Sequence, residues 1–185
     1  MANNSHLIHQ HRMPSSSQTM PSPIPSSDMD AIRNVLATYC VALDTKHFDR
    51  LKYVFTANIH ASYPFADFNG TRSMVEDFTH RFEHVTSQHA LTTQTIELLA
   101  HGHGARAETY FTAVYFGQGV WEGQKVVFWG KFVDDLVKSD QYGRGGGTRD
   151  DEVGNWRVMR RVCEVVGQEG DERGMEGGGE VERIE

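Results

Sequence analysis

The feature that most constrains the fold of this chain is a change in the spacing of its apolar residues near Ser87. Before Ser87 the apolar residues recur every three or four positions, which is typical of amphipathic helices, whereas after it they alternate with other residues, which is typical of strands. Helices followed by a series of strands indicate an α+β domain. We therefore expect helices packed on a strongly curved, mainly antiparallel sheet, with a ligand cavity at its open end.

Three helices are expected before this change of period. Ser27 and Asp30 are spaced as in a capping box, so the first helix begins there and carries its apolar face as far as Leu43. A second, short helix covers about residues 47–55, and a third is capped by Thr71. The inward apolar positions of these helices are Ile32, Val35, Leu36, Tyr39, Cys40, Leu43, Phe48, Leu51, Val54, Phe55, Met74, Val75, Phe78, Phe82 and Val85.

Strands are expected from five alternating segments. These segments cover residues 59–66, 88–100, 105–118, 124–138 and 155–166. The dipeptide Asn69-Gly70 is a turn signal after the first of them. The sequence from His101 to Gly104 predicts a tight connection between the second and third, and the Gly-rich sequence from Gln141 to Gly154 predicts a hairpin loop between the last two.

Composition divides the chain into one domain and two tails. Residues 1–26 are rich in Ser, Pro, His and Asn, and residues 168–185 are rich in Gly and Glu, so we expect both tails to be disordered. The folded domain is then expected to span residues 27–167. The net charge is -7, and most of it lies in the C-terminal tail. Because the sequence contains no basic stripe, nucleic acid is not expected as a partner.

The two cysteines and the N-terminal sequence indicate the cellular compartment in which the protein is expected. Cys40 and Cys163 each lie within an apolar segment, which predicts buried thiols and no disulfide framework. The N-terminal residues do not resemble a secretory signal, and no apolar run approaches the roughly 18 residues of a membrane span. We therefore expect a cytoplasmic protein without a membrane partner.

A set of residues in a fixed order carries a resemblance to a known family. In sequence order it comprises Tyr39, Asp44, Phe48, Leu51, Phe55, Gly70, Ser87, Gln88, His89, Ala105, Ala107, Thr109, Tyr110, the segment from Gly130 to Asp134, and the segment from Trp156 to Arg160. This order resembles the SnoaL-like branch of the nuclear transport factor two-like superfamily over residues 28–166. The resemblance implies a cone-shaped α+β barrel with three N-terminal helices and one pocket for a small molecule, as in polyketide cyclase- and isomerase-like proteins.

Within that superfamily the chain is similar to the fungal scytalone dehydratases, most clearly from Asp44 to Leu51. Position by position, Asp44 matches the pocket aspartate of those enzymes and His89 matches their first catalytic histidine. Tyr63 matches a tyrosine that holds a catalytic water. The resemblance implies that Asp44, Tyr63 and His89 are the catalytic residues of this chain.

The sequence departs from those dehydratases at three positions. Val114, with Tyr115 beside it, stands where the second catalytic histidine is found. Leu43 replaces a pocket tyrosine, and Phe132 replaces an asparagine. An Asp–His pocket is still expected, whereas the reaction stays open between dehydration, isomerisation and aldol-type ring closure, as does the question of whether Tyr115 replaces the missing histidine.

The chemistry of these residue types favours the same assignment. A carboxylate at a helix end and an imidazole on the facing sheet form an acid–base pair, in which the carboxylate fixes the tautomer and the second ring nitrogen moves a proton. A tyrosine hydroxyl can donate to a developing enolate. Such chemistry requires no metal or redox cofactor, so none is expected. The expected pocket wall comprises Tyr39, Phe55, Phe65, Tyr115, Phe128 and Phe132.

Each candidate also has a purely structural explanation. Asp44 could cap the second helix, His89 could be a hydrogen-bonded core histidine, and Tyr63 could be plain core. The sequence from His80 to His84 matches the string of an inverted zinc protease, but it lies on a short helix without the surroundings of that architecture.

These observations favour a cofactor-independent dehydratase, isomerase or cyclase that acts on a small hydrophobic, polyketide- or terpenoid-like metabolite in secondary metabolism. The first alternative is a non-catalytic member that binds a hydrophobic ligand or a partner protein in the same cone, and the second is a structural subunit. Because the segment 124–138 is partly apolar on both faces, we also expect a homodimer or homotrimer.

Overall fold

The computed structural model describes residues 27–100, 102–138 and 156–171, and within them the chain forms helices first and long strands afterwards. The helices are α1 (Asp28–Asp44), a 3₁₀ helix (Phe48–Tyr53) and α2 (Thr71–Arg81), with a further 3₁₀ turn at Gly119–Trp121 in the connection between two strands. The strands are β1 (Phe55–Tyr63), β2 (Ala66–Asn69), β3 (Val85–Leu98), β4 (Gly104–Gly117), β5 (Lys125–Lys138) and β6 (Trp156–Gly170).

The six strands form one sheet in the order β2-β1-β6-β5-β4-β3. All neighbouring pairs are antiparallel except β1 and β6, which are parallel. Helix α1 packs against β3 and β6, while α2 packs against β1 and β2, so the helices cover the concave side of the curled sheet. The predicted fold class, three helices on a curved and mainly antiparallel sheet, is confirmed; the sheet curls without closing, because β2 and β3 lie at its two edges.

Helix α1 begins at the capping box that the sequence predicts. The backbone N–H of Asp30 donates to Ser27 Oγ at 3.2 Å, and Ser27 Oγ donates in turn to the Asp30 carboxylate at 2.7 Å. The buried face of the helix comprises Ile32, Val35, Leu36, Thr38, Tyr39, Cys40, Ala42 and Leu43. Because this face lies on the sheet, it fixes the direction in which the last residue of the helix, Asp44, presents its carboxylate.

The region between the first two helices and α2 differs from the expected single strand. It is a hairpin, in which Tyr63 pairs with Ala66 and leaves Pro64 and Phe65 as a two-residue turn. The turn signal Asn69-Gly70 marks a different feature, because Gly70 has a φ of 105° and precedes the first turn of α2. Glycine adopts that left-handed conformation without steric cost, so the glycine ends β2 and begins the helix instead of reversing a strand.

The last strand is longer than expected. β6 continues through Gln168 to Gly170, which pair with Phe128 to Val126 of β5, so ordered structure extends three residues past the expected domain boundary. Main-chain pairing needs no apolar side chains, and an apolar pattern therefore underestimates the length of such a strand. Residues 1–26, 139–155 and 172–185, which include most of both expected tails and the expected hairpin loop, lie outside the described residues.

No helix of the described part of the chain is long and apolar enough to cross a membrane.

Candidate active site

The carboxylate of Asp44, at the end of α1, is held by three donors from β3. Ser87 Oγ donates to Oδ1 at 2.8 Å, and the backbone N–H of His89 donates to Oδ2 at 2.9 Å. The imidazole Nδ1 of His89 lies 2.6 Å from Oδ1. The structure therefore brings together two of the residues that the sequence singles out, with the helix end supplying the acid and the first long strand supplying the imidazole.

Asp44 is ionised at neutral pH. Partial burial raises the pKa of its carboxyl, but the hydrogen bonds from the side chain and the backbone of His89, the attraction of that imidazole and the hydrogen bond from Ser87 together hold the pKa below its ordinary value. An ionised acceptor at Nδ1 places the proton of a neutral imidazole on Nδ1. The lone pair then lies on Nε2, which is the nitrogen that can accept a proton.

Tyr115, on β4, contacts this second nitrogen. Its hydroxyl lies 3.0 Å from His89 Nε2, and the two rings meet edge to face with centroids 5.5 Å apart. Burial raises the pKa of the Tyr115 hydroxyl well above its ordinary value, so the phenol stays protonated and donates to Nε2. Asp44, His89 and Tyr115 thus form one hydrogen-bonded chain, in which the side chain of His89 is 3% exposed and that of Asp44 24%.

The imidazole faces a small aromatic cavity of about 80 Å³. Of the residues expected to line a pocket, Tyr39, Phe65, Tyr115, Phe128 and Phe132 do so, together with Tyr63 and His89. The lining residues that the sequence did not indicate are Pro64, Phe78, Phe82, Phe111, Ala113, Cys163 and Val165. The carboxylate of Asp44 does not line the cavity and acts on it through the imidazole.

Phe55, which was expected on the pocket wall, does not line this smaller cavity. It is almost fully buried, and its ring packs edge to face on the ring of Tyr39 at 5.8 Å, outside this cavity. Phe55 lies in the first position of β1, where the strand enters the core under α1, and so it supports the wall from behind. Apolar spacing alone does not distinguish these two positions.

Tyr63 lies on the cavity wall, and its hydroxyl is directed to Tyr39. Its hydroxyl donates to the hydroxyl of Tyr39 at 3.0 Å, and the ring of Tyr39 meets that of His89 edge to face at 6.4 Å. Burial raises the pKa of Tyr63 to about 12, against the lowering influence of the nearby Arg161 charge. The two phenols are therefore protonated, and they form a polar patch on the wall beside the imidazole.

A buried ion pair beneath this patch is the main feature that sequence reasoning missed. Arg161 Nε and Nη2 donate to the two carboxylate oxygens of Asp134 at 2.7 and 2.8 Å, and both side chains are fully buried. The guanidinium lies 4.3 Å from the ring centroid of Tyr39 and 4.1 Å from that of Phe132, and its Nη1 has no hydrogen-bond partner. The available signal was an acid at an inward position of an alternating strand, between Phe132 and Leu136.

A larger depression of about 790 Å³ lies elsewhere, between the 3₁₀ helix, the first turn of α2 and the ends of β5 and β6. Its wall includes Lys52, Phe55 and Arg72 but none of the residues of the hydrogen-bonded chain. We place the candidate active site in the smaller cavity, because there a base of defined tautomer meets an enclosed apolar space.

The remaining cavity groups add no further base. Burial raises the pKa of the Cys163 thiol to about 12, which keeps it neutral. Within residues 27–100, 102–138 and 156–171, no group of three or more His, Cys, Asp or Glu side chains could hold a metal ion.

A sequence model of the SnoaL-like domain matches residues 25–162. No curated protein matches the chain.

Solved structures from Novosphingobium aromaticivorans and a related species share the fold. One, provisionally named an aromatic ring hydroxylase, has a TM-score of 0.66 and 19% identity over 80% of this chain and 96% of its own. A second, provisionally named a scytalone dehydratase, has a TM-score of 0.64 and 18% identity over 85% and 95%. A hexachlorocyclohexane dehydrochlorinase from Novosphingobium barchaimii LL02 has a TM-score of 0.61 and 10% identity over 77% and 89%. At these identities the likeness is one of fold.

Proposed function

Since the chain belongs to the SnoaL-like domain family and its cavity contains a hydrogen-bonded Asp44–His89–Tyr115 chain, we propose that it is an acid–base enzyme of the lyase or isomerase class that needs no cofactor. The observation that carries the proposal is the imidazole of His89 at the cavity wall, with Asp44 holding Nδ1 and the Tyr115 hydroxyl donating to Nε2. A base so oriented and so enclosed is suited to proton transfer from carbon.

In the proposed reaction, the Tyr115 hydroxyl first turns from Nε2 of His89 to the leaving group of the substrate. Nε2 then takes a proton from a carbon next to a carbonyl group of the substrate. Asp44 stabilises the imidazolium that forms, and it prevents the ring from turning its other nitrogen to the cavity. A positioned base of this kind contributes about 10²–10⁴-fold to the rate.

Tyr115 supplies the proton for the group that leaves. In a dehydration, the electrons of the broken C–H bond form the double bond, the C–O bond breaks, and the hydroxyl leaves as water with the proton of Tyr115. The imidazolium then returns its proton to the tyrosinate, over the 3.0 Å that separates Nε2 and the phenol oxygen. In an isomerisation the same donor would protonate another carbon or oxygen of the enolate.

The polar patch formed by Tyr39 and Tyr63 supports the negative charge that develops on the carbonyl oxygen. The guanidinium of Arg161 lies 4.3 Å from the ring centroid of Tyr39, whose hydroxyl accepts from that of Tyr63, so its charge is in place before the reaction begins. Fixed donors and charges in an enclosed site stabilise an enolate more effectively than water does. Tyr63 therefore acts on the substrate oxygen in this proposal, and it has no contact with the base.

The names of two structural neighbours, a scytalone dehydratase and a dehydrochlorinase, describe eliminations from adjacent carbons, which supports the lyase assignment. The aromatic lining of the cavity suits a largely apolar, ring-containing molecule. We propose a polyketide- or terpenoid-like metabolite as substrate.

A non-catalytic ligand-binding protein is the second candidate. The observation in its favour is the small volume of the cavity, about 80 Å³, because the protein's own aromatic rings leave little free space between them.

The test assays the purified protein with single-ring cyclic β-hydroxyketones, and dehydration to the conjugated enone is followed by ultraviolet absorbance. We expect turnover, and a loss of about 10²–10⁴-fold in kcat on His89→Ala. His84→Ala is the matched control, because His84 is exposed and lies outside the cavity. Binding of these ketones to the native protein without turnover would support the second candidate and contradict the first.

A further inference from the structure

The cavity is too small for the substrate that the proposed function requires. An apolar cavity of about 150 Å³ accommodates benzene, and pockets for larger organic ligands are typically about 300–1,000 Å³. The cavity beside His89 measures about 80 Å³. Part of its wall must therefore move before a ring-containing molecule can enter.

The part of the wall that is exposed to solvent on a turn consists of Pro64 and one aromatic residue, Phe65. Phe65 is 43% exposed, whereas most of the other lining aromatic side chains are buried. Val165 is also exposed, but it lies within β6 and pairs with Gly130 of β5, so its main chain is fixed. Phe65 lies beyond the last pair of the β1–β2 hairpin, at the edge of the sheet. Turns at sheet edges open at low cost in free energy.

Phe65 is held in its closed position from two sides. Its ring packs on the ring of Tyr63 with centroids 5.3 Å apart and approaches that of Phe78 at 6.4 Å. The guanidinium of Arg81, on α2, lies 4.1 Å from the centroid of the same ring. Arg81 is itself fixed by Asp77, one helical turn earlier, with Nε 3.1 Å from the carboxylate.

From this arrangement we propose that Phe65 is the gate of the cavity, that Arg81 keeps it closed, and that the pair determines which substrates enter. The inference rests on the proposed function only in taking this cavity as the substrate site. Compact apolar molecules require a small displacement of Phe65, whereas molecules of two fused rings require the ring to leave its contact with Arg81.

The test measures ligand entry directly and requires no turnover. Binding of 2-naphthol is followed by its own fluorescence in a stopped-flow instrument, with phenol as a single-ring competitor. A cation–π contact at a partly exposed site corresponds to about a two- to fivefold change in an equilibrium, so Arg81→Met should raise the association rate of 2-naphthol about two- to fivefold. Phe65→Ala should raise it further.

The helix offers a matched control. Arg72 forms an ion pair with Glu76 at the same spacing, 3.0 Å apart, on the same helix and away from the cavity. Arg72→Met should therefore leave the association rate unchanged. In the Phe65→Ala background, Arg81→Met should have no further effect, because the contact through which it acts is gone.

Three results would overturn the proposal. The first is an equal change in the association rate of 2-naphthol with Arg72→Met and Arg81→Met. The second is a full effect of Arg81→Met on that rate in the Phe65→Ala background. The third is an unchanged association rate, or no binding of either probe, in Phe65→Ala. Because these rates are measured on binding alone, such a failure would leave the proton-transfer proposal standing. Conversely, a gated protein without turnover would contradict only that proposal.

Discussion

The carboxylate of Asp44 receives three hydrogen bonds. Replacing Asp44 with asparagine puts an amide nitrogen in the place of one of its two oxygens. The remaining oxygen can keep the hydrogen bonds from Ser87 and from Nδ1 of His89, but the amide group then faces the backbone N–H of His89, donor against donor. The variant must leave that N–H without an acceptor or rotate the amide and lose the tautomer of the imidazole. In either case residue 44 no longer holds both the imidazole and the backbone N–H of His89.

The expected loss of stability follows from the number of hydrogen-bond donors that are left without an acceptor. A buried donor without an acceptor costs about 1–3 kcal/mol. Because the Asp44 side chain is partly exposed, water offsets some of this cost, so we expect Asp44→Asn to reduce the free energy of unfolding by about 1–2 kcal/mol. The rate should fall by much of the 10²–10⁴-fold that the oriented base contributes.

The pKa of Asp44 also determines whether its contribution to stability is lost at low or at high pH. The pKa of Asp44 is lower in the folded protein than in the unfolded chain, so its contribution to stability is complete above the unfolded value, about 3.9, and is lost as the pH falls through the folded value. Urea denaturation between pH 3 and 7 should show part of the acid loss of stability disappear in Asp44→Asn.

Asp49→Asn is the control, because Asp49 is an exposed residue of the 3₁₀ helix. This variant should unfold with the native free energy and with the native dependence of that free energy on acid. If Asp44→Asn unfolded with the native free energy and the native acid dependence, the three hydrogen bonds would not hold the site, and the reasoning would be refuted.

Four further outcomes are expected. Tyr115→Phe should reduce kcat about 10²-fold or more with little change in KM, as measured by steady-state kinetics, and an unchanged kcat would exclude Tyr115 as the acid. Tyr63→Phe should cost less, because it removes one hydroxyl of a pair and keeps the ring; a loss as large as that of His89→Ala would contradict its placement. Asp134→Asn should reduce the free energy of unfolding by about 3–5 kcal/mol, since it leaves Arg161 buried and uncompensated; near-native stability in calorimetry would refute this. Light scattering at micromolar concentration should give a homodimer or homotrimer, because the apolar side chains of Tyr110, Phe116 and Trp129 are exposed on the outer face of the sheet, and a monomer would contradict it.

Local patterns predicted the helices and most strands because each depends on neighbouring residues. The Ser27 cap, the buried face of α1 and the alternation of β4 and β5 are of this kind. The hairpin turn at Pro64-Phe65 was not predicted, since Phe65, although it lies in the turn, continues the alternating apolar pattern of β1. Nothing local indicates the parallel pairing of β1 with β6.

The site residues that match positions of a known family were predictable from the sequence. Contacts between residues that are distant in sequence and meet only in the folded structure were not. Asp44 and His89 were identified before their contact was seen. The hydrogen bond from Tyr115 to Nε2 and the pairing of Asp134 with Arg161 join different strands, and no spacing along the chain reveals them. The place of Phe55 behind the wall likewise depends on how β1 enters the core.

The parallel pair also affects how the chain reaches its fold during synthesis. Ala61 of β1 pairs with Arg161 of β6, one hundred residues later in the chain. Until β6 leaves the ribosome, β1 has only the short β2 as a neighbour, and the carboxylate of Asp134 has no counter-charge. Contacts so distant in sequence slow folding, and an incomplete sheet exposes apolar surface and unpaired strand edges. We therefore expect the domain to fold only after β6 has left the ribosome, with a nascent chain ending before Trp156 as its most aggregation-prone form.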